Sequence, residues 1–433
     1  MTAALIGFAA VLLLAFMRMP LGLALGLVGF IGFSELSSYR AGMSNAARLV
    51  IDSGQSYGLS VVPLFILMGL MVDRGGMARE LYRAAYAFLG HRKGGLAMST
   101  ITACGMFSAI CGSSLATAAT MSKVSMPEMR RYKYDDSLAT ASIAAGGTLG
   151  ILIPPSVILV IYGLITNVSV GKLFIAGVLP GLIGVLFYLA AVLFVVTRNP
   201  AAGPAGERSG WGERLGALRD VWATLGLFIF VIGGIYIGAF TPTEAAGMGA
   251  AGAIAIAYFR GALSWKVVME VSRETTLTTA KLFMVLFGAM IFSNFVNRAG
   301  LPDALLAIAN GFDFPPMGII FMILLIYLVL GCVFESLSMI LLTVPIFAPL
   351  VEGLGFDLIW FGILVVVATE ISLITPPIGM NVFVLKGVLR DVSVKTIFKG
   401  VTPFWIADIF RIILLALVPA LSLYLPSMMT YTH

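Results

Sequence analysis

Apolar segments long enough to span a hydrocarbon core of ~30 Å recur from Met1 to Pro426, separated by short stretches that carry the charged residues. No polar stretch between them is large enough to bury a core of its own. The pattern therefore predicts an all-α polytopic membrane protein. Residues 2–17 are expected to form the first membrane helix: no basic region precedes the apolar run and Arg18 follows it, the wrong polarity for a cleaved signal peptide. Arg198–Asp220 breaks the pattern with Pro200, Pro204 and several glycines, and this segment, 198–220, is read as a linker.

On either side of that linker the chain repeats itself at an offset of about 222 residues. Pro20 maps to Pro242, Pro127 to Pro349, and Pro154-Pro155 to Pro376-Pro377. VDRGGMAREL (72–81) aligns with VNRAGLPDAL (296–305), and VSVGKLFIAGVLP (168–180) with VSVKTIFKGVTP (392–403) after one deletion. The domain reading is thus a first repeat, 1–197, and a second, 221–433. Each is expected to run through a helix, a second helix opened by proline, a third helix, a long small-residue segment, a helix broken at Pro-Pro, and a final helix. Thr241, Pro242 and Glu244 spell a capping box with proline at the first helical position. The small-residue segments, about 95–125 and 317–348, are each either one crossing or a re-entrant hairpin; the broken helices fall at about 137–164 and 358–385.

Charge separates those alternatives. With both segments as hairpins, each repeat crosses five times, the second repeat is inverted, and the loops fall into two sets. One set collects Arg18 and the basic residues of 73–94, 121–136, the linker, 260–281 and 386–399. The other holds only Arg40, Arg48, Lys172 and Arg298, with Arg411 inside the last long helix. That asymmetry is what the positive-inside rule predicts for a cytoplasmic face, and it puts both termini outside.

Composition sharpens the picture. Of 433 residues, 60% are hydrophobic and 11% charged, and the mean hydropathy is +1.03, which excludes a set of soluble domains. The net charge of +6 is spread over short loops without aromatic interleaving, so no nucleic-acid surface is expected. Cys104, Cys111 and Cys332 lie within apolar segments and form no disulfide framework; His91 and His433 are too few for a histidine-built metal site. No phosphate-binding G-x-x-x-x-G-K-[ST] run is present, and no convergent acid–base or nucleophilic set marks an enzyme.

Paired repeats with broken helices are the sequence signature of secondary transporters, which bind ions and substrate where helices unwind. The first candidate site joins SAICGSS (108–114) to GGTLGILIPPS (146–156). Pro154 and Pro155 remove two backbone donors and turn Ile153 from helical geometry, leaving carbonyl oxygens that must be satisfied inside the membrane. Ser108, Ser113, Ser114 and Thr148 add hydroxyl oxygens. With no carboxylate cluster of the kind Ca²⁺ requires, the ion expected is Na⁺. The second candidate, by position, joins GCVFESLS (331–338) to SLITPPIGMN (372–381). Candidates for the substrate region are Ser113, Ser114, Thr148, Pro154, Glu335, Ser336, Pro376, Pro377 and Asn381, with half-helix N-termini offering a positive field to a carboxylate. Glu335 is read as shaping the second tip, Glu370 as a partner of freed amides, and Asp408 with Arg411 as a local pair near the cytoplasmic interface. Gly22, Gly26 and Gly29 form a face for helix packing.

These residues resemble the large membrane subunit of tripartite ATP-independent periplasmic (TRAP) transporters, the DctM-like and SiaM-like proteins. GSSLATAAT (112–120), MPEM (126–129), GGTLGILIPPSVILVIYG (146–163), KLFIAGVLPG (172–181), PTEA (242–245) and LITPPIGMNVFVLKG (373–387) carry the resemblance along nearly the whole chain. It implies a sodium-driven elevator of the ion transporter superfamily kind, in the bacterial inner membrane, importing an organic acid such as a C4-dicarboxylate or sialic acid. Also implied are a small four-helix membrane partner, expected as a separate chain, and a soluble periplasmic binding protein. Carried over by position, sodium site 1 comprises Ser108, Cys111, Gly150, Ile153 and Pro155, and sodium site 2 comprises Gly331, Ser372, Thr375 and Ile378. Ser372 stands where the family usually has glycine, and Cys111 can offer a hard ligand only through its carbonyl. Two other readings stay open from the sequence: a stand-alone sodium symporter of the same superfamily, and a passive channel.

Overall fold

The computed structural model describes residues 1–311, 315–332 and 334–429; His433 lies outside them. Among these residues the secondary structure is entirely helical. The first half comprises α1 (Thr2–Phe16), α2 (Leu21–Leu36), α3 (Tyr39–Gly54), α4 (Val61–Arg74), α5 (Met77–Leu89), α6 (Gly95–Cys111), α7 (Ser114–Arg131), α8 (Asp136–Thr148), α9 (Val157–Thr166) and α10 (Val170–Arg198). The second comprises α11 (Trp211–Tyr236), α12 (Pro242–Phe259), α13 (Trp265–Arg298), α14 (Leu301–Gly311), α15 (Pro316–Gly331), α16 (Ser336–Gly353), α17 (Leu358–Ser372), α18 (Met380–Val388), α19 (Val394–Leu417) and α20 (Ala420–Ser427). Six helical spans among the described residues are long and apolar enough to cross a bilayer, among them Val170–Arg198 and Val394–Leu417.

Local chemistry sets the boundaries. The Thr241 hydroxyl accepts from Glu244 N (3.3 Å) while Glu244 Oε2 accepts from Thr241 N (2.8 Å), the reciprocal capping expected at α12. Asp135 caps α8 by accepting from Ser137 N at 2.7 Å. The glycine face of α2 works as read: a β carbon on Gly22 or Gly29 would come within 2.6 Å of α13 backbone at Met284 and Phe292, so only glycine permits this approach.

Three boundaries differ from the expected ones. The basic stretch 73–94 is not a plain loop; α5 occupies most of it, burying Leu81, Ala84 and Ala85 while Arg79 and Arg83 face outward, an amphipathic arrangement that the charge count concealed. The linker ends at Gly210 rather than Asp220, because Glu213 accepts from Gly210 N (3.3 Å) and starts α11 early, with Arg214 Nε donating to Ala87 O of α5 (3.1 Å). The third helix of the first half is two helices, α3 and α4, where α13 runs unbroken through the matching span; Ser53, Gly54, Ser56 and Gly58 supply poor helix formers at the interruption.

The rest of the linker is pinned to the turns of the first half. Gly94 N donates to Gly203 O (2.8 Å), Asp135 N to Ala202 O (3.0 Å) and Gly206 N to Gly90 O (2.9 Å). Arg260 pairs with Glu80, and Arg130 Nη2 reaches Asp391 Oδ2 at 2.5 Å. The α5–α6, α7–α8, α12–α13 and α18–α19 turns and the linker consequently gather at one end of the molecule.

Candidate functional site

Two helix pairs end in tips that meet two helix breaks. In the first, α6 stops because Gly112 turns left-handed (φ +63°), and Ser113 caps α7 by accepting from Ala116 N at 3.4 Å. The opposing break begins where α8 tightens into a 3-10 turn at Leu149–Ile151 and ends at Ser156, whose hydroxyl donates to Ile151 O (2.5 Å) and accepts from Leu159 N (3.3 Å). Tip and break touch. A β carbon on Gly112 would lie 3.0 Å from Pro155 O, and one on Gly150 would lie 3.0 Å from Ser108 Oγ. Ser108, Gly150, Ile153, Pro154 and Pro155 are buried together, with Cys111 at the rim. Thr117, one turn into α7, accepts from Ser108 Oγ at 3.4 Å and belongs with this set. Its signal in the sequence was its place in the small-residue run GSSLATAAT.

The second assembly is similar but more open. Gly331 ends α15 directly against Ser372, and Cys332 Sγ approaches Pro376 O at 3.4 Å. Thr375 donates to Ile371 O at 2.9 Å, leaving its hydroxyl oxygen able to accept or ligate. Ser372 donates to Thr369 O at 2.6 Å. Pro376, Pro377 and Ile378 are exposed, unlike their buried counterparts in the first break. Both Pro-Pro bonds are cis.

A cavity of about 230 Å³ lies between the two assemblies. Ser113 and Ser114 from one tip, Glu335 and Ser336 from the other, and Leu373 beside the second break line it. Glu274 and Thr278 of α13 complete its polar wall; they were not singled out in the sequence, because the first half of α13 is rich in charged and hydroxyl residues and does not mark these two, although their spacing of four places them on one face. Glu274 is held by Arg74 at 3.3 Å. The other candidates for this region do not line the cavity. Pro154, Pro376 and Pro377 shape the breaks behind it. Asn381 donates to Ser114 Oγ (2.8 Å) and Ala144 O (2.9 Å), tying α18 to α7 and α8. Thr148 faces away, its hydroxyl 2.9 Å from Tyr188 OH.

The ionisable residues inside the bundle form one group. Asp408 and Arg411 are in contact (3.1 Å, one turn apart), as their spacing suggests, and both are completely buried. Glu370, also completely buried, pairs with Arg411 across helices instead of capping freed amides, because a guanidinium within reach is the stronger partner for a buried carboxylate.

A many-helix membrane protein in which two helix-pair tips close on two interrupted helices around a shared cavity has the architecture of a permease. The chain belongs to the DctM family, the DctM component of the tripartite ATP-independent periplasmic transporters, whose family model matches residues 8–421. It is 36% identical over 383 residues to the C4-dicarboxylate TRAP transporter large permease protein DctM of Pseudomonas aeruginosa, covering 87% of this chain and 88% of that one. It is 34% identical over 429 residues to the ectoine TRAP transporter large permease protein TeaC of Halomonas elongata, covering 98% of each. The YdaH transporter of Alcanivorax borkumensis, a solved structure, shares the fold with a TM-score of 0.64 at 14% identity, covering 88% of this chain and 89% of that one.

Proposed function

We propose that this chain is the large permease subunit of a sodium-coupled, binding-protein-dependent importer of a small organic acid in the bacterial inner membrane. The observation that carries the reading is the pairing of each tip with a proline break: Ser108, Cys111, Gly150, Ile153 and Pro155 at one, Gly331, Ser372, Thr375 and Ile378 at the other, with the cavity between them. Helix ends and breaks supply carbonyl and hydroxyl oxygens without a carboxylate cluster, a hard and weakly charged donor set that suits Na⁺ as the transported coupling ion. Element positions support the two repeats, since α6–α10 and α15–α19 follow one another at the same offset of about 222 residues that relates the sequences, and the uneven distribution of basic residues supports their inversion.

In this reading the two tips and the two broken helices move as a transport domain against the remaining helices, carrying the cavity across the membrane in an elevator step, with both termini periplasmic. A separate small membrane subunit steadies the scaffold, and a periplasmic binding protein delivers the substrate. The named relatives handle a C4-dicarboxylate and ectoine, so a compact molecule bearing a carboxylate is the substrate class proposed.

Reconstitution tests the scheme. Vesicles containing this chain and its small subunit are expected to accumulate substrate only with an inward sodium gradient and a loaded binding protein. Uptake without the small subunit and binding protein would replace the tripartite scheme with a stand-alone symporter, and uptake without sodium would remove the coupling ion. Thr375→Val deletes one possible ligand at nearly constant volume; it should weaken the sodium dependence of uptake by about fivefold, the scale of one lost neutral contact, with expression kept. An unchanged sodium midpoint would remove that hydroxyl from the site.

A further inference from the structure

A chain of buried polar side chains runs through the bundle interior away from the cavity. Thr148, the last residue of α8, lies 2.9 Å from Tyr188 OH of α10. Tyr188 donates to Asp408 Oδ2 of α19 at 2.5 Å. Asp408 contacts Arg411 at 3.1 Å, and Arg411 pairs with Glu370 of α17. All five side chains are fully buried. Two carboxylates and one guanidinium withdrawn from water are costly to assemble, and replacing such a group by apolar residues is often neutral or stabilising. Fold stability alone is therefore a weak reason for its presence. Room for it is built in: a β carbon on Gly184 would lie 2.0 Å from Arg411 Nη1.

The two ends of the chain give it a use. Thr148 stands two residues before Gly150 in the first break, and Glu370 two residues before Ser372 in the second. Every link is a buried hydrogen bond or ion pair, so a shift of one break loads the contacts that lead to the other. We propose that Thr148, Tyr188, Asp408, Arg411 and Glu370 are positioning residues that fix the two helix breaks relative to each other, so that Na⁺ bound at one break favours Na⁺ binding at the other. The inference rests on the reading that both breaks hold sodium. Its energetic form is a coupling between sites, carried by a contiguous set of packed polar contacts.

Melting of the purified full-length chain against NaCl, with ionic strength held constant by choline chloride, tests it. The wild-type chain is expected to gain thermal stability with sodium along a curve steeper than one-site binding. Tyr188→Phe removes only the hydroxyl that links Thr148 to Asp408; it should move the sodium midpoint up by about fivefold or more, the low end of the usual coupling between sites, and flatten the curve toward one-site slope. Glu370→Gln keeps the volume and an acceptor for Arg411 while removing a charge, and should shift the midpoint in the same direction whatever it does to melting in choline alone. If either variant changes melting in choline while midpoint and slope stay at wild-type values in both, the chain is structural glue and the inference is overturned. A wild-type protein that melts identically in sodium and choline would instead overturn the sodium reading, and this inference with it, before any variant is compared.

Discussion

A β carbon on Gly331 would sit 2.1 Å from Ser372 Oγ and 2.3 Å from its Cβ, a closer approach than atoms tolerate. The matching contact in the first half is Ser108 against Gly150, so the serine and the glycine have exchanged sides between tip and break. Gly331→Ala should therefore overpack the second assembly and lower stability by about 2 kcal/mol. Adding Ser372→Gly to it should restore most of that loss, since the serine side chain is what the new methyl meets. Thermal melting of the two single variants and the double variant reads the cycle; equal losses with no recovery would mean that the clash is relieved elsewhere. The serine was legible in the sequence as a departure from the glycine that the family usually has there. That Gly331 makes room for it was not, because the two residues are 41 positions apart and only the packing of α15 on α17 joins them. The partners of Glu370 escaped the sequence reading for the same reason: an ion pair to Arg411 depends on which faces of α17 and α19 meet, and periodicity in a uniformly apolar helix does not declare a face.

Where side chains signal along the chain rather than across it, elements were read with more success. Capping at Thr241–Glu244, the proline breaks and the glycine face of α2 depend on residues three or four apart or on backbone chemistry, and each is found where expected. Amphipathic elements were missed when counted as loops, α5 above all, since its basic face dominated the reading of 73–94. The end of α7 shows how such elements are joined. Arg130 bridges Asp136 at the start of α8 (3.3 Å) and Asp391 in the turn between α18 and α19 (2.5 Å). The hydrogen bond from Arg130 holds the Asp391 carboxyl below the usual carboxylate range. A depressed acid contributes stability that is present above its unfolded pKa and lost as the pH falls through the folded one. Wild type should thus be slightly more stable than Asp391→Asn at neutral pH, with the difference closing as the pH drops below the ordinary aspartate range. The effect is small because the pair is exposed and screened. Melting of both proteins across that range checks it, and a difference that widened on acidification would reverse the sign of the interaction.

At the scale of the whole molecule the decisive quantity is the side on which each turn lies. The sequence placed the 73–94, 121–136, linker, 260–281 and 386–399 basic segments on one face from charge alone, and contacts in the structure draw them together: Gly94 N to Gly203 O, Asp135 N to Ala202 O, Arg260 to Glu80, and Arg130 to Asp391. Helices α6 and α7 must then leave this end and return to it, their tip at Gly112–Ser113 lying in the interior against the first break. A hairpin that enters and leaves by one face makes a definite demand on labelling. In a chain whose three native cysteines are replaced, Arg92→Cys and Arg131→Cys, both at exposed positions, should react with a membrane-impermeant maleimide only from the cytoplasmic side. Arg298→Cys, exposed and in the sparse set of basic residues, should react from the periplasmic side and so calibrates the assay. Reaction of Arg92→Cys and Arg131→Cys from opposite sides would make the pair α6–α7 an ordinary crossing, and the second half could then no longer be the inverted copy of the first.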